Sequence, residues 1–359
     1  MTTETVASGP ETAPILVVGP AWIGDMIMAQ SLFISLRQRR PKSAIDVIAP
    51  PWSLPLLARM PEVRRAIPLA VAHGELALRK RWRLGKSLRT EKYIQAITLP
   101  RTLKSALPPL VAGIPRRTGY LGELRYGLLN DIRPLGQTLY RTVDRYLNLG
   151  LEPGEPLPSK TPEPRLRISE ESRQQAARQL NLEIDDAPVL ALCPGAEYGA
   201  AKRWPVEHFA EVARDRLQAG WQVWLLGSER DRPITGAIAT AARGASDLAG
   251  QTTLAQAVDL LSLATAAISN DSGLMHVAAA VGVPVIVLYG SSDPHYTPPL
   301  SRRSHSIALG LSCSPCFKNE CPLGHLDCLQ QITPRQVLSL LPAIADAHAN
   351  THNRENNRL

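Results

Sequence analysis

The sequence predicts an α/β protein of two domains, each a parallel sheet with helices on both faces. Three observations predict it. Short apolar runs with strand character alternate with helical stretches along most of the chain, the pattern of strands joined by crossover helices. A Pro-rich stretch over residues 151–164 interrupts this series, and a second series starts beyond it. The chain has 359 residues, 44% of them hydrophobic, whereas a single core stops growing at about 250–300 residues.

The first series opens with Ile15-Leu16-Val17-Val18, a strand ended by Gly19-Pro20. A helix follows from about Asp25 to Arg40, with apolar Ile27, Leu32, Ile34 and Leu36. Ile45-Asp46-Val47-Ile48-Ala49 is the next strand, closed by Pro50-Pro51, which completes one strand–helix–strand unit. A strand is expected over 94–99, and Val111-Ala112-Gly113-Ile114 is expected to begin another strand–helix junction. The Pro-rich stretch (Pro153, Pro156, Pro158, Pro162, Pro164) reads as a semi-rigid interdomain linker or as a surface loop inside one domain.

The second series runs through a helix over 169–180, a strand over 189–193 and a helix over 205–219 with Pro205 in its first turn. A strand over 222–226 leads to a helix reaching Arg243, then a helix over 254–263 and a strand over 266–268. A brief helix, a strand over 283–289 and a last helix from Pro334 to about Ala347 complete it. The expected organisation is a disordered leader (1–13), an N-terminal Rossmann-like domain (14–160), a C-terminal Rossmann-like domain (161–349) whose last helix can pack back on the first, and a frayed tail (350–359). Such a pair facing a central cleft is the GT-B arrangement.

The formal charge of +8 favours anionic partners: nucleic acid, anionic lipid or a phosphorylated substrate. A nucleic-acid binder needs a recognition helix or an aromatic-lined sheet, and aromatic residues make up only 5%. No nucleic acid is therefore expected. No apolar stretch approaches the roughly 18 residues of a membrane span, and the first residues lack the basic and apolar regions of a signal peptide. A cytoplasmic location is expected.

Gly19-Pro20-Ala21-Trp22-Ile23-Gly24 has P-loop spacing, but Asp25-Met26 stands where Lys and Ser or Thr belong. Ala21 breaks the dinucleotide fingerprint, which argues against an NAD-dependent enzyme. Gly24 instead allows a tight turn, and Asp25 either caps the following helix or faces a ligand at the carboxyl end of the strand.

Three strand ends in the second half suit one ligand. The first is Pro194-Gly195-Ala196-Glu197-Tyr198-Gly199-Ala200-Ala201-Lys202-Arg203-Trp204-Pro205, whose Lys202 and helix start can bind an anion or simply be a solvated basic loop. The second is Gly227-Ser228-Glu229, where Glu229 can accept ribose hydroxyls or favour a helix start. The third is Asn270-Asp271-Ser272-Gly273-Leu274-Met275-His276, where small residues leave the first helical N–H groups open to a pyrophosphate. There, His276 either faces the same ligand or is a hydrogen-bonded core histidine.

The run Asp271-Ser272-Gly273-Leu274-Met275-His276-Val277-Ala278-Ala279-Ala280 resembles the signature of glycosyltransferase family 9, the bacterial heptosyltransferases. The opening loop (Val18 to Met26), the Pro194 to Pro205 segment and the Gly113 to Asp131 segment resemble the family's type II members, in the same order along the chain. The resemblance covers roughly residues 14–345 and implies the GT-B fold. It also implies an inverting, metal-independent transfer of L-glycero-D-manno-heptose from ADP-heptose to the first heptose of the lipopolysaccharide inner core, on Kdo-lipid A. No cofactor is then required for catalysis. A related core step, or a noncatalytic sugar-nucleotide-binding protein if Asp25 is only a cap, is the alternative.

By the matching motifs, Asp25 is implied as general base. Lys202 and the Ser272-Gly273 helix start are implied as stabilisers of the departing ADP, Glu229 as ribose contact, Asp271 as heptose contact and His276 as phosphate or sugar contact. Gly24 and Glu197 complete the donor set. Arg101, Lys104, Arg116, Arg117 and Arg125 suit the phosphates and carboxylates of the acceptor. The basic run from Arg79 to Lys92 can rest on the anionic inner leaflet, at about 1 kcal/mol per cation, or be a solvated helix face. The protein would then lie at the cytoplasmic side of the inner membrane.

Cys313, Cys316, Cys321 and Cys328 lie within sixteen residues. Their spacing suggests a structural metal, zinc above all, with cluster ligation or free thiols packing a loop as alternatives. Cys193, inside a strand, is expected to be buried.

Overall fold

In the computed structural model, residues 12–341 are described, except 73 and 137. The chain divides into two compact units at Pro164/Arg165. In the first unit, strands β1 (Ile15–Val18), β2 (Ile45–Ala49), β3 (Val63–Pro68), β4 (Gln95–Thr98), β5 (Arg116–Tyr120) and β6 (Asp131–Arg133) form one sheet. Its order is β3-β2-β1-β4-β5-β6, with every pairing parallel. The helices are α1 (Ile23–Arg39), α2 (Leu54–Leu57), α3 (Leu78–Ser87), α4 (Leu107–Val111) and α5 (Thr142–Leu149).

The second unit repeats this plan. Strands β7 (Val189–Cys193), β8 (Gln222–Leu225), β9 (Ser246–Asp247), β10 (Ala266–Asn270), β11 (Val285–Leu288) and β12 (Ser304–Ile307) take the order β12-β11-β10-β7-β8-β9. Helices α6 (Glu170–Gln179), α7 (Val206–Gln218), α8 (Arg232–Ala241), α9 (Leu254–Leu261), α10 (Gly273–Ala280) and α11 (Asp327–Gln330) accompany them. Counted from its own first strand, each sheet has the doubly wound order 3-2-1-4-5-6. The order in which strands are added reverses between the first and fourth strands, and the crevice outside their carboxyl ends is where such sheets take ligands.

Central strands covered on both faces must be apolar throughout. β1, β2, β4, β7, β10 and β11 are buried along their whole length. The core of the second unit gathers Leu190, Leu192, Phe209, Val223, Ile268 and Ile286 around the buried indole of Trp204. Gly19 is required where β1 ends, because a Cβ there would meet the methyl of Met26 at 2.8 Å and the Ile48 carbonyl at 3.2 Å. The chain can therefore turn tightly into α1 against β2.

Several expectations are corrected. Val111 ends α4, Gly113 turns with φ +72°, and the strand begins at Arg116. Pro205 is the N-cap of α7 and lies outside its first turn. The Pro-rich stretch is fastened to the first unit: Glu155 pairs with Arg39, Glu152 with Arg116, and the Pro162 carbonyl accepts from Ser31 Oγ at 2.7 Å. Of the last expected helix, residues 334–341 are helical, and the rest lies outside the described residues, as do the leader through residue 11 and the expected tail.

Arg125 is the largest departure from expectation. Proposed for an exposed acceptor site, it is completely buried. Its guanidinium donates to the carbonyls of Pro100 (2.7 Å) and Tyr120, joining the loop after β4 to the end of β5. Burial pushes its pKa down to about 10, so it remains charged at neutral pH. A basic neighbourhood in sequence does not reveal that one of its cations is internal. Arg125→Met is expected to leave these carbonyls without a donor and to destabilise the protein by about 2–4 kcal/mol, read as a lower urea midpoint.

Candidate functional site

In the first unit the candidate group is Asp25. It sits in the first turn of α1, half-buried, and Trp22 rather than Asp25 occupies the N-cap position. The helix starts two residues earlier than expected, so Asp25 is the third residue of α1 and not its cap. This position lies just beyond the carboxyl end of β1, next to the switch point with β4.

In the second unit the switch point lies between β7 and β10. Two strand-end segments meet there, 194–204 after β7 and 271–273 after β10. Asn270, fully buried, joins them: its Oδ1 accepts from Trp204 N–H at 3.0 Å and its Nδ2 donates to the Pro194 carbonyl at 2.7 Å. Trp204 is anchored from below, its indole N–H donating to the Ile332 carbonyl at 2.8 Å.

This staple sets Lys202 against Asp271, Nζ to Oδ2 at 2.5 Å, with little of either side chain exposed. An ion pair removed from water persists only when its groups satisfy each other. Two further N–H donors of the ammonium remain for another anion. Ser272 is the N-cap of α10, and its side chain makes no capping hydrogen bond. Gly273 begins the helix with no side chain, so the first N–H groups of α10 meet neither a cap nor a Cβ.

His276 lies one turn into α10, buried, and burial lowers its pKa to about 4. The Asp271 carboxylate opposes that shift and the Lys202 ammonium adds to it. The imidazole is neutral at physiological pH. Of the sites singled out in the sequence, Lys202, Asp271, Ser272, Gly273 and His276 thus come together.

Glu229 opens the turn before α8, largely exposed and 3.0 Å from Arg232. Behind it, Asp231 Oδ2 accepts from the backbone N–H and hydroxyl of Ser228. A Cβ on Gly195 would come within 2.4 Å of Asp231, and one on Gly227 within 2.9 Å of its Cβ. Both strand ends are thus shaped around one carboxylate. Glu197 pairs with the exposed Arg230. Sequence reasoning missed Asn270 and Asp231. Their signal was available: a polar residue ending a buried strand, and a Ser–Asp capping spacing.

The acceptor candidates separate. Arg101 is exposed, and Lys104 donates to the Glu75 carbonyl at 3.2 Å. Arg116 is held between Asp131 (2.9 Å) and Glu152 (2.8 Å), and these partners raise its pKa. Arg117 donates to the carbonyls of Leu128 and Ile114, each at 2.7 Å. Arg116 and Arg117 thus bind their own unit, as Arg125 does.

The cysteines are free thiols, with Cys193 and Cys328 buried and the other three half-buried. Among the described residues, no group of three or more His, Cys, Asp or Glu side chains is placed to hold a metal ion. The zinc site expected at Cys313, Cys316, Cys321 and Cys328 is corrected accordingly. Backbone N–H groups, that of Leu326 foremost, then those of Leu323, Gly324 and His325, lower the Cys321 pKa against an opposing effect of burial.

With this geometry in place, comparison with known proteins is decisive. The family model described as glycosyltransferase family 9 (heptosyltransferase) matches residues 81–327. The chain belongs to glycosyltransferase family 9. Among its relatives, lipopolysaccharide heptosyltransferase 2 of Escherichia coli K12 is 44% identical over 341 residues, covering 92% of this chain and 98% of that protein. Lipooligosaccharide heptosyltransferase 2 of Haemophilus influenzae is 45% identical over 307 residues, covering 82% and 88%. The solved structure of the E. coli ADP-heptose lipopolysaccharide heptosyltransferase II superposes with a TM-score of 0.84 at 42% identity, over 94% of this chain and 99% of that one. The fold is accordingly GT-B, and this family 9 chain is a glycosyltransferase of the heptosyltransferase type.

A testable consequence concerns His276. Its folded-state pKa lies below the value of about 6.5 expected when unfolded, so the unfolded chain binds more protons between the two. Stability from this residue is complete above pH about 6.5 and falls as the pH drops toward about 4. His276→Gln should flatten that part of the melting-temperature profile, measured by calorimetry from pH 7.5 to 4.5.

Proposed function

We propose that this chain transfers L-glycero-D-manno-heptose from ADP-heptose to the first heptose of the lipopolysaccharide inner core, with inversion and without a catalytic metal. The observation that carries the reading is the buried Lys202–Asp271 pair at the open N-terminus of α10, beside neutral His276, in a chain so similar to heptosyltransferases of that name.

Asp25 takes the proton of the acceptor hydroxyl as its oxygen attacks the anomeric carbon. The bond from that carbon to the ADP oxygen breaks, and negative charge grows on the diphosphate. Lys202 and the N–H groups at Ser272-Gly273 stabilise that charge from fixed positions. Asp271 fixes Lys202 and accepts from heptose hydroxyls. Glu229 holds the ribose, with Gly24 and Glu197 lining the donor site. On the acceptor side, Arg101 and Lys104 meet phosphates and carboxylates, a task that Arg116 can share through its exposed edge.

The decisive assay incubates the protein with ADP-heptose and lipopolysaccharide truncated after its first heptose, and looks by mass spectrometry for one added heptose. Asp25→Asn should lower kcat by about 10²–10⁴-fold while ADP affinity, measured by calorimetry, stays unchanged. Unchanged turnover would remove Asp25 as the base. Turnover absent from the native protein with ADP still bound would favour a noncatalytic sugar-nucleotide binder.

The same reading places the protein at the anionic inner leaflet, where its acceptor is anchored. On α3, Leu78 and Trp82 are exposed beside Arg79, Lys80, Arg83 and Lys86, and Leu76 is exposed just before it. Apolar tips among cations suit an anionic interface. Among the described residues no helix is long and apolar enough to cross a membrane. Replacing Trp82 by Ser together with Arg83 by Ser should weaken co-sedimentation with phosphatidylglycerol-containing vesicles about tenfold and leave ADP affinity unchanged. Equal binding by both proteins would assign α3 to solvent.

A further inference from the structure

The cysteine-bearing loop between β12 and α11 has no part in the chemistry above, yet it is tied to the segment that carries Lys202. The Asn319 carbonyl accepts from Ala201 N–H at 3.0 Å, one residue before Lys202. The Phe317 carbonyl accepts from the Tyr198 hydroxyl at 2.7 Å. Ser291, after β11, bridges the two: its N–H donates to the Ala201 carbonyl at 3.3 Å and its carbonyl accepts from Phe317 N–H at 2.6 Å. Ser314 Oγ donates to the Gly290 carbonyl at 2.6 Å.

The approach is close enough to dictate sequence. Gly199 has φ +153°, and a Cβ there would fall 2.2 Å from the Asn319 carbonyl oxygen. Phe317 meets Tyr296 edge to face at 5.9 Å. The Tyr198 ring, steadied through its hydroxyl, lies with its centroid 5.0 Å from Lys202 Nζ. That is within the range of a cation–π attraction. Lys202 is thus held from two directions, by the Asp271 carboxylate and by the Tyr198 ring.

We propose that residues 314–319 act as a strap on the donor site, and that Tyr198 is a positioning residue that holds Lys202 where the diphosphate binds. Asp271 alone fixes one end of a long, flexible side chain. The ring meets the ammonium from a second side, so it is in place before the donor arrives and less ordering is needed on binding. The strap lies on the family's donor segment but outside the motifs that carry the resemblance. The inference rests on the reading of Lys202 as the partner of the donor's phosphates.

The test is a double-mutant cycle with Tyr198→Leu, Tyr198→Phe and Lys202→Ala, following kcat, the KM for each substrate and ADP affinity by calorimetry. Tyr198→Leu should raise the donor KM about five- to tenfold and leave the acceptor KM and the melting temperature unchanged. Tyr198→Phe keeps the ring but loses the hydroxyl's bond to the Phe317 carbonyl, and should show a donor KM between those of the wild type and Tyr198→Leu; a wild-type value there would overturn the strap. The double variant Tyr198→Leu/Lys202→Ala should be no worse than Lys202→Ala alone. A wild-type donor KM in Tyr198→Leu, or losses that add in the double variant, would overturn the role of Tyr198 while leaving that of Lys202 intact. Unchanged ADP affinity in Lys202→Ala would overturn both.

Discussion

The site in the second unit depends on the side-chain amide of Asn270. It ends a strand that is buried on every side, where a polar group without partners costs about 1–3 kcal/mol. It is satisfied only by joining the start and end of the 194–204 segment, through the Pro194 carbonyl and the Trp204 N–H. Had the segment taken another path, three buried polar groups would lack partners. This requirement fixes the loop, and with it the distance from Lys202 to Asp271. The indole of Trp204 adds an apolar floor, filling the core while its N–H reaches the Ile332 carbonyl.

The charged pair on that floor is placed for chemistry more than for stability. Two charges withdrawn from water gain little over a well-packed apolar pair of the same volume. In the proposed reaction they supply an ammonium already oriented and little exposed, where it would act on developing charge more strongly than in water. Burial keeps His276 neutral beside it, so the cluster does not accumulate a second cation that would repel Lys202. One imidazole can then offer a hydrogen bond to a ligand without altering the local charge.

Much of this was legible in the sequence, for physical reasons. Strands buried on both faces, such as β1, β7 and β11, are continuous apolar runs, and glycines and prolines mark their ends. The strands at or near the sheet edges, β3, β9 and β12, are partly exposed; they carry no such run and were not anticipated. Val111 misled because a short apolar run interrupted by Gly113 suits a helix end as well as a strand. That Lys202, Asp271, Ser272, Gly273 and His276 come together was legible because they follow the ends of the adjacent strands β7 and β10. The fate of Arg125, Arg116 and Arg117 was not. Whether an arginine faces solvent or donates to carbonyls is decided by distant chain segments such as Pro100 and Glu152. The strap escaped notice for the same reason, since its contacts span more than a hundred residues of sequence.

The two units share one strand order but differ in the charges at their switch points, and the proposed division of labour follows that difference. In the first unit the loop after β1 is short, and a carboxylate, Asp25, stands in the first turn of the helix that follows. That charge occupies the field of the helix N-terminus and repels a diphosphate. In the second unit the helix after β10 begins with Ser272 and Gly273, neither adding charge, and a lysine reaches in from the neighbouring strand end. A diphosphate finds partners there and only repulsion at Asp25. In the proposed reaction the same carboxylate suits an acceptor hydroxyl, which is neutral and has a proton to give. On the proposed reading, one carboxylate in the first helical turn separates the base of the first unit from the anion cradle of the second.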